Sequence, residues 1–315
     1  MGKFAQLPNF VGIHLPLFFA SFPYPVYPPD HSLIGRVPLP SMLIAHVTDP
    51  HLGLDTSMLP GHPGPAMALR RTLAHVRELA PTPDLLLLTG DLTENGKPQD
   101  YETLRGILRE ELPPPSAGGP LVLAVPGNHD APAVARQMLS ELMPVAADAP
   151  EGRTCIHIEH GLMHFLGLDT VVPGKSYGIL DDVQLDWLEA QLSDCNGQPT
   201  VIFMHHPPML SGITAMDSCG LLRDRDRLRR SVAAHGGVQL IAAGHLHRPL
   251  VGSLGGTPVM VAPSTSHQID LNLLPGAPLA CRLEPPMIGL YRHTAGEGMA
   301  CHFSYVNQFS GPFPI

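Results

Sequence analysis

The ten residues Leu121 to Asp130, Leu-Val-Leu-Ala-Val-Pro-Gly-Asn-His-Asp, change character in one step: an apolar run gives way to Pro-Gly and then to three polar side chains. Such a run reads as a strand covered on both faces, and the carboxyl ends of strands like this are where open α/β sheets bind ligands. The same order recurs four more times. Met42 to Thr48 ends in Asp49-Pro-His51, Leu85 to Thr89 in Gly90-Asp91, Val201 to Met204 in His205-His206-Pro-Pro, and Gln239 to Ala243 in Gly244-His245-Leu-His247. Five strand exits thus carry two carboxylates, an amide and several imidazoles.

Between these exits the periodicity turns helical, so the chain is expected to be an α/β domain. Leu69, Leu73, Val76 and Leu79 predict a helix over Ala66 to Leu79, and Tyr101, Leu104, Ile107 and Leu108 predict another from Pro98 to Leu112. Acidic residues at Asp181 and Asp182 open a third helix through Leu192, and Arg223 to Ala234 gives a fourth. Ile156 to Ile158 and Leu162 to Leu168 flank Glu159-His160-Gly161 as a hairpin, so the second half is not purely parallel. Asp130 is placed to cap a helix starting at Pro132.

Three regions follow from texture. Residues 1–40 are read as a Pro-rich N-terminal extension without amphipathic period, with a secretory signal as the alternative; residues 41–270 are expected to form the main α/β domain. Residues 271–315 carry two alternating segments, Met287 to Tyr291 and Met299 to Val306, expected to complete a sheet or to contact a second subunit in a homodimer.

Charge and cysteine usage narrow the partners. Nineteen Lys and Arg against 28 Asp and Glu give a net charge of −9, which argues against a nucleic-acid surface. The one basic cluster, Arg223 to Arg230, alternates with Asp224 and Asp226 and reads as a solvated face. Five cysteines without a Cys-x-x-Cys pair indicate reduced, mostly buried thiols in a cytoplasmic protein rather than a disulfide framework or thiolate metal site. No apolar run approaches the ~20 residues of a membrane helix, so no membrane partner is expected.

Asp49-x-His51, Gly90-Asp91, Gly127-Asn128-His129-Asp130, His205-His206 and Gly244-His245-x-His247, each following an apolar strand and in this order, point to a metal site rather than to scattered polar residues. Carboxylate, amide and imidazole donors without thiolate suit Mn²⁺, Fe²⁺/Fe³⁺ or Zn²⁺ better than softer ions, and carry too much nitrogen for Mg²⁺ or Ca²⁺. Seven donors are too many for one ion, whereas two ions about 3.5–4 Å apart, sharing one carboxylate, would use them all.

The ordered set resembles that of the calcineurin-like metallophosphoesterases, and its texture is similar to their class III cyclic-nucleotide phosphodiesterase branch. The matching segments are Asp49-Pro-His51-Leu, Gly90-Asp91-Leu-Thr, Pro126-Gly-Asn-His-Asp130, His205-His-Pro-Pro208, Gly244-His-Leu-His247 and Pro263-Ser-Thr-Ser-His-Gln268. The resemblance implies a four-layer α/β/β/α sandwich with mixed sheets. It also implies one metal on Asp49, His51, Asp91 and His247 and a second on Asp91, Asn128, His205 and His245, with Asp91 bridging. A metal-bridging hydroxide would attack phosphorus, and His129 would face the substrate and protonate the leaving oxygen. Asn128, His129, His206 and His267 are the residues expected near substrate, and Asp91 and His129 the catalytic ones.

The activity so implied is hydrolysis of a small-molecule phosphodiester, with a 3′,5′-cyclic nucleotide such as cyclic AMP favoured on resemblance alone. A glycerophosphodiester or broad-specificity mono- and diesterase is the alternative, and a catalytically silent metal-binding scaffold is the non-enzyme reading. A protein Ser/Thr phosphatase is disfavoured because Leu-Thr-Glu-Asn-Gly follows Gly90-Asp91 in place of Asp-Arg-Gly.

Overall fold

A computed structural model describes residues 39–307 and 309–313. The signal alternative lies outside the described residues, as does the Pro-rich extension, read as residues 1–40, except for its last two. The first half alternates β1 (Ser41–Val47), α1 (Pro65–Glu78), β2 (Leu85–Thr89), α2 (Pro98–Glu111), β3 (Leu121–Val125) and α3 (Pro132–Met138). The second runs β4 (Ile156–His160), β5 (Met163–Leu168), β6 (Gly178–Ile179), α4 (Asp182–Asp194), β7 (Thr200–Met204), α5 (Thr214–Asp217), β8 (Leu221–Arg223), α6 (Arg225–His235) and β9 (Val238–Ala243). It closes with β10 (Leu250–Leu254), β11 (Thr257–Val261), β12 (Gln268–Ile269), β13 (Cys281–Arg282), β14 (Met287–Thr294) and β15 (Gly298–Tyr305).

Two mixed sheets result, ordered β15-β14-β1-β2-β3 and β10-β11-β9-β7-β5-β4. In the first, β1, β2 and β3 are parallel while β14 lies antiparallel to β1. In the second, β5, β7, β9 and β11 are parallel and flanked by the antiparallel edge strands β4 and β10.

Side-chain alternation explains the layering. On β7, Val201 and Phe203 join the core shared with the first sheet, while Ile202 and Met204 face the core under α4 and α6. Leu240 and Ala242 against Ile241 and Ala243 repeat this on β9, so the second sheet is apolar on both faces. Leu85 to Leu88 of β2 are all fully buried, which is why that strand reads as an unbroken leucine run. The outer helices complete an α/β/β/α sandwich.

Several boundaries differ from those predicted. β4 continues to His160, so the hairpin turns at Gly161-Leu162 rather than at Glu159-His160-Gly161. Leu221–Arg223 pairs as β8, and the following helix starts only at Arg225 because Asp224 is left-handed. Asp181 caps α4, its side chain accepting from the Gln184 amide. Arg227 of the basic cluster pairs with Asp186 and Glu189 on α4. All five cysteines are free thiols, but Cys281 is exposed and only Cys155 and Cys195 are fully buried. Among the described residues no helix is long and apolar enough to cross a membrane.

Phe203 lies between the sheets with its ring over Gly167, where a Cβ would collide with it. Phe203→Ala is expected to cost about 3–5 kcal/mol of unfolding free energy, measured by urea titration; a loss below 1 kcal/mol would mean the two sheets do not share this core.

Candidate metal centre

Asp49, His51, Asp91, His245 and His247 all sit just beyond strand ends with φ between 45° and 70°. Left-handed backbone is uncommon outside glycine but enriched for Asp and His, and it turns each side chain back over the sheet edge. The glycines of the same segments permit close approach. A Cβ at Gly127 would strike the Asp91 backbone amide and carboxylate, and one at Gly244 would strike the Thr48 hydroxyl and the Asp49 carboxylate. Glycine is therefore required where neighbouring strand exits touch.

The ring nitrogens have defined roles. His205 Nδ1 donates to the Thr89 carbonyl at 2.8 Å, leaving Nε2 facing Asn128 Oδ1 at 3.0 Å, His245 Nδ1 at 3.3 Å and Asp91 Oδ2 at 3.4 Å. His247 Nδ1 donates to the His267 carbonyl and His51 Nδ1 to Glu94 Oε2. Their two Nε2 atoms then confront each other at 3.0 Å, with Asp49 Oδ1 3.2 Å from His247 and Asp91 Oδ2 3.7 Å from His51. Seven donor atoms thus converge as two groups of four, Asp91 belonging to both. Lone pairs at such distances repel unless positive charge lies among them.

Titration behaviour agrees. Burial works against a charged His205, yet Asp91 and then Asp49 outweigh it and push its pKa up to about 9. Burial would raise the Asp91 pKa, but His205 and then His51 hold it well below the ordinary carboxylate range. One proton can relieve a single donor pair, whereas a cation can satisfy four donors together. The residues present therefore fit the binuclear transition-metal group.

Glu94 escaped the sequence analysis. Its Oε2 accepts from His51 Nδ1 at 2.7 Å and lies 3.6 Å from His129 Nδ1. Burial alone would raise the Glu94 pKa, but the His51 hydrogen bond lowers it, so the carboxylate stays ionised and fixes the His51 tautomer. Its position three residues after Asp91 was the only available signal. His46 was also missed: it is buried with one nitrogen on Tyr291 and the other on Thr89, and burial pushes its pKa down to about 3.

Two expectations need correction. Asp130 does not cap α3, whose N-cap is Ala131 without a side-chain bond. Its carboxylate instead accepts from the Leu92, Thr93 and Gly127 amides and from the Thr93 and Tyr101 hydroxyls, clamping the Asp91 and Asn128 loops together. His206 is not a pocket residue: it is fully buried, with Nδ1 bonded to the Thr170 hydroxyl and Nε2 to the Ser176 carbonyl. Both nitrogens are committed, so none is left for a substrate. His129 is exposed at the mouth, its Nδ1 donating to the Glu94 carbonyl at 3.2 Å, and the His267 ring lies 4.7 Å from that of His247.

A four-layer sandwich that gathers buried Asp and His donors at its strand ends is the architecture of a metal-dependent hydrolase. The calcineurin-like phosphoesterase family model matches residues 42–249, and the chain belongs to that family. It is therefore a metallophosphoesterase, and the family implies divalent metal ions for the cluster described. A probable glycerophosphodiester phosphodiesterase of Arcobacter nitrofigilis is 31% identical over 274 residues, covering 87% of this chain and 97% of the relative. A probable cyclic nucleotide phosphodiesterase of Synechococcus is 34% identical over 252 residues, covering 78% and 89%. Among solved structures, a dimetal phosphatase of Danio rerio shares the fold with a TM-score of 0.61 at 13% identity, covering 85% of this chain and all of that one.

Glu94→Gln is expected to weaken metal binding about 10- to 100-fold by releasing the His51 tautomer, read as metal content after dialysis at limiting Mn²⁺. Full occupancy at wild-type concentrations would remove Glu94 from this role. Asp130→Ala, which strips three buried amides of their acceptor, is expected to cost about 3 kcal/mol or more of stability by chemical denaturation.

Proposed function

We propose that this protein hydrolyses a small-molecule phosphodiester at a binuclear transition-metal centre, with a 3′,5′-cyclic nucleotide as the first candidate substrate. The observation that carries the reading is the convergence of seven lone-pair donors, Asp91 shared between two sets, at one end of the sandwich. Asp49, His51, Asp91 and His247 would hold one ion, and Asp91, Asn128, His205 and His245 the other. Mn²⁺, iron or Zn²⁺ bound there supplies a nucleophile from water near neutral pH and takes up charge on the phosphoryl oxygens.

The chain's own groups do the rest. Asn128 contributes a neutral oxygen, so its ion keeps more positive charge for the substrate than a third carboxylate would allow. His129 stands exposed at the rim, its Nδ1 engaged by the Glu94 carbonyl. Its Nε2 would deliver a proton to the leaving oxygen when the ring is an imidazolium. His267 flanks His51 and His247 and would border the bound ester.

A glycerophosphodiester is the second reading, favoured by the relative of that name, which this chain matches over 97% of its length. Cyclic AMP, a 2′,3′-cyclic nucleotide and glycerophosphocholine, compared at equal concentration, separate the two readings by their kcat/KM values.

Chelation is expected to abolish hydrolysis of bis(p-nitrophenyl) phosphate while leaving the fold intact, and Mn²⁺ to restore it. Asn128→Ala and His205→Ala should remain inactive after metal is returned, and normal turnover in both would dismiss this centre. His129→Gln should slow esters with alkoxide leaving groups by roughly 10²–10⁴-fold and the p-nitrophenyl ester far less, since a good leaving group needs no proton.

A further inference from the structure

A second convergence of donors lies at the other end of the second sheet. His157 on β4 and His164 on β5 occupy the same face of the antiparallel pair, two register positions apart on the diagonal. Cys195, at the carboxyl end of α4, closes over them with its side chain fully buried. Their nitrogen and sulfur atoms lie within 4.8 Å of one another. His164 pairs with Thr200 at the amino ends of β5 and β7, while His205 follows the carboxyl end of β7. Four strand residues separate these ends, on the order of 13 Å, so this group is separate from the catalytic cluster.

The tautomers are pinned here as well. Asp148 accepts from Gln191 Nε2 at 2.8 Å and from Trp187 Nε1 at 3.2 Å, which turns Gln191 Oε1 toward His157. His157 Nδ1 must then donate to that oxygen, at 2.6 Å, leaving Nε2 without a proton in the neutral ring. His164 Nε2 faces Gln198 Oε1 at 3.1 Å and donates to it, which bares Nδ1. The two bare nitrogens meet at 3.1 Å, and Cys195 Sγ stands 3.9 Å from His157 Nε2. A tetrahedral ion with bonds of about 2.0–2.1 Å to nitrogen and 2.3 Å to sulfur sets its ligands about 3.3 Å and 3.6 Å apart, within a few tenths of an ångström of the nitrogen–nitrogen and the His157–Cys195 distances, the third pair lying within 4.8 Å.

We propose that His157, His164 and Cys195 form a second metal site, taking one zinc-type divalent ion with two imidazoles and a thiolate, distinct from the strand-end centre. Ion binding removes the Cys195 proton to the buffer, and His157, half-buried, leaves the fourth position open to water. Asp148 and Gln191 act as positioning residues, holding His157 in the ligating tautomer.

Sulfur supplies the discriminating signal, because the strand-end donors are all nitrogen and oxygen. The full-length protein is first filled with Mn²⁺ and then titrated with Co²⁺ while the near-ultraviolet thiolate-to-cobalt charge-transfer band is followed. One equivalent should produce the band, and Zn²⁺ should remove it by displacement. Cys195→Ala should lose the band entirely and His157→Gln should weaken Co²⁺ binding at least tenfold, with phosphodiesterase turnover unchanged in both. Cys219→Ser, which removes the thiol standing 3.6 Å from His245 Nε2 beside the strand-end donors, should keep the band. No band in the wild-type protein, or a band that persists in Cys195→Ala, overturns the proposal and leaves a shared proton as what holds the two imidazoles together. The readout is spectroscopic and needs no turnover, so its failure is separable from failure of the phosphodiesterase reading.

Discussion

Mutual repulsion among seven lone-pair donors is the constraint the rest of the molecule has to meet. Asp49, Asp91, Asn128 and four histidines are brought within hydrogen-bond range of one another, in a place from which bulk water is largely excluded. At low effective dielectric such an arrangement is costly, and left-handed backbone at five of these residues adds roughly 1–3 kcal/mol each. A flexible loop cluster would relax away from it. Here each donor is only one to four residues from the end of a strand that packs into the core, so relaxation would require shifting a sheet.

The second requirement is orientation. An imidazole presents a lone pair in the right direction only if its other nitrogen is occupied by an acceptor, and the fold supplies an oxygen for three of the four histidines, the Nε2 of His245 facing the Cys219 sulfur at 3.6 Å instead. Thr89 and His267 offer carbonyls to His205 and His247, and Glu94 offers a carboxylate to His51. Asp49 is fixed likewise, its Oδ2 taking the Thr48 hydroxyl at 2.6 Å and the His245 amide at 3.0 Å, while Oδ1 shares that amide at 3.3 Å and faces His247 at 3.2 Å. Asp130 works one step further out. By collecting three amides from two loops it determines how near Asp91 comes to Asn128, and so whether one carboxylate oxygen can serve both groups of donors.

What was legible in the sequence is what lies next to a strand. Asp49-x-His51 and His245-x-His247 announce themselves because the apolar run, the turn and the donors are contiguous, and the parallel core strands share that local grammar. Pairings across long stretches of chain were not legible. β14 seats itself beside β1, and Tyr291 reaches His46 across 245 residues, with nothing in either segment naming the other. Asp130 misled because a carboxylate just before a Pro-led helix has a good local use; three distant buried amides with no other acceptor made the stronger demand. His206 misled for a related reason. Its ring does lie 4.8 Å from that of His205 and 4.5 Å from that of His245, but Thr170 and Ser176 take both of its nitrogens, a demand that comes from distant segments.

Charge bears on how an acidic protein could attract the phosphodiester proposed as its substrate. The chain carries a net −9, yet its exposed carboxylates are spread over the surface and screened beyond about 8 Å at physiological ionic strength. At the strand ends only Asp49 and Asp91 bring formal charge to the proposed ligand set, the other five donors being neutral. Two divalent ions placed there would leave the cluster two charges positive, in a low-dielectric setting where screening is weak. The local field would then outweigh the global one at the range where a substrate docks. Replacing the neutral Asn128 by a carboxylate would halve that excess, which is a physical reason for an amide at the end of β3 where the neighbouring strands β1 and β2 end in acids.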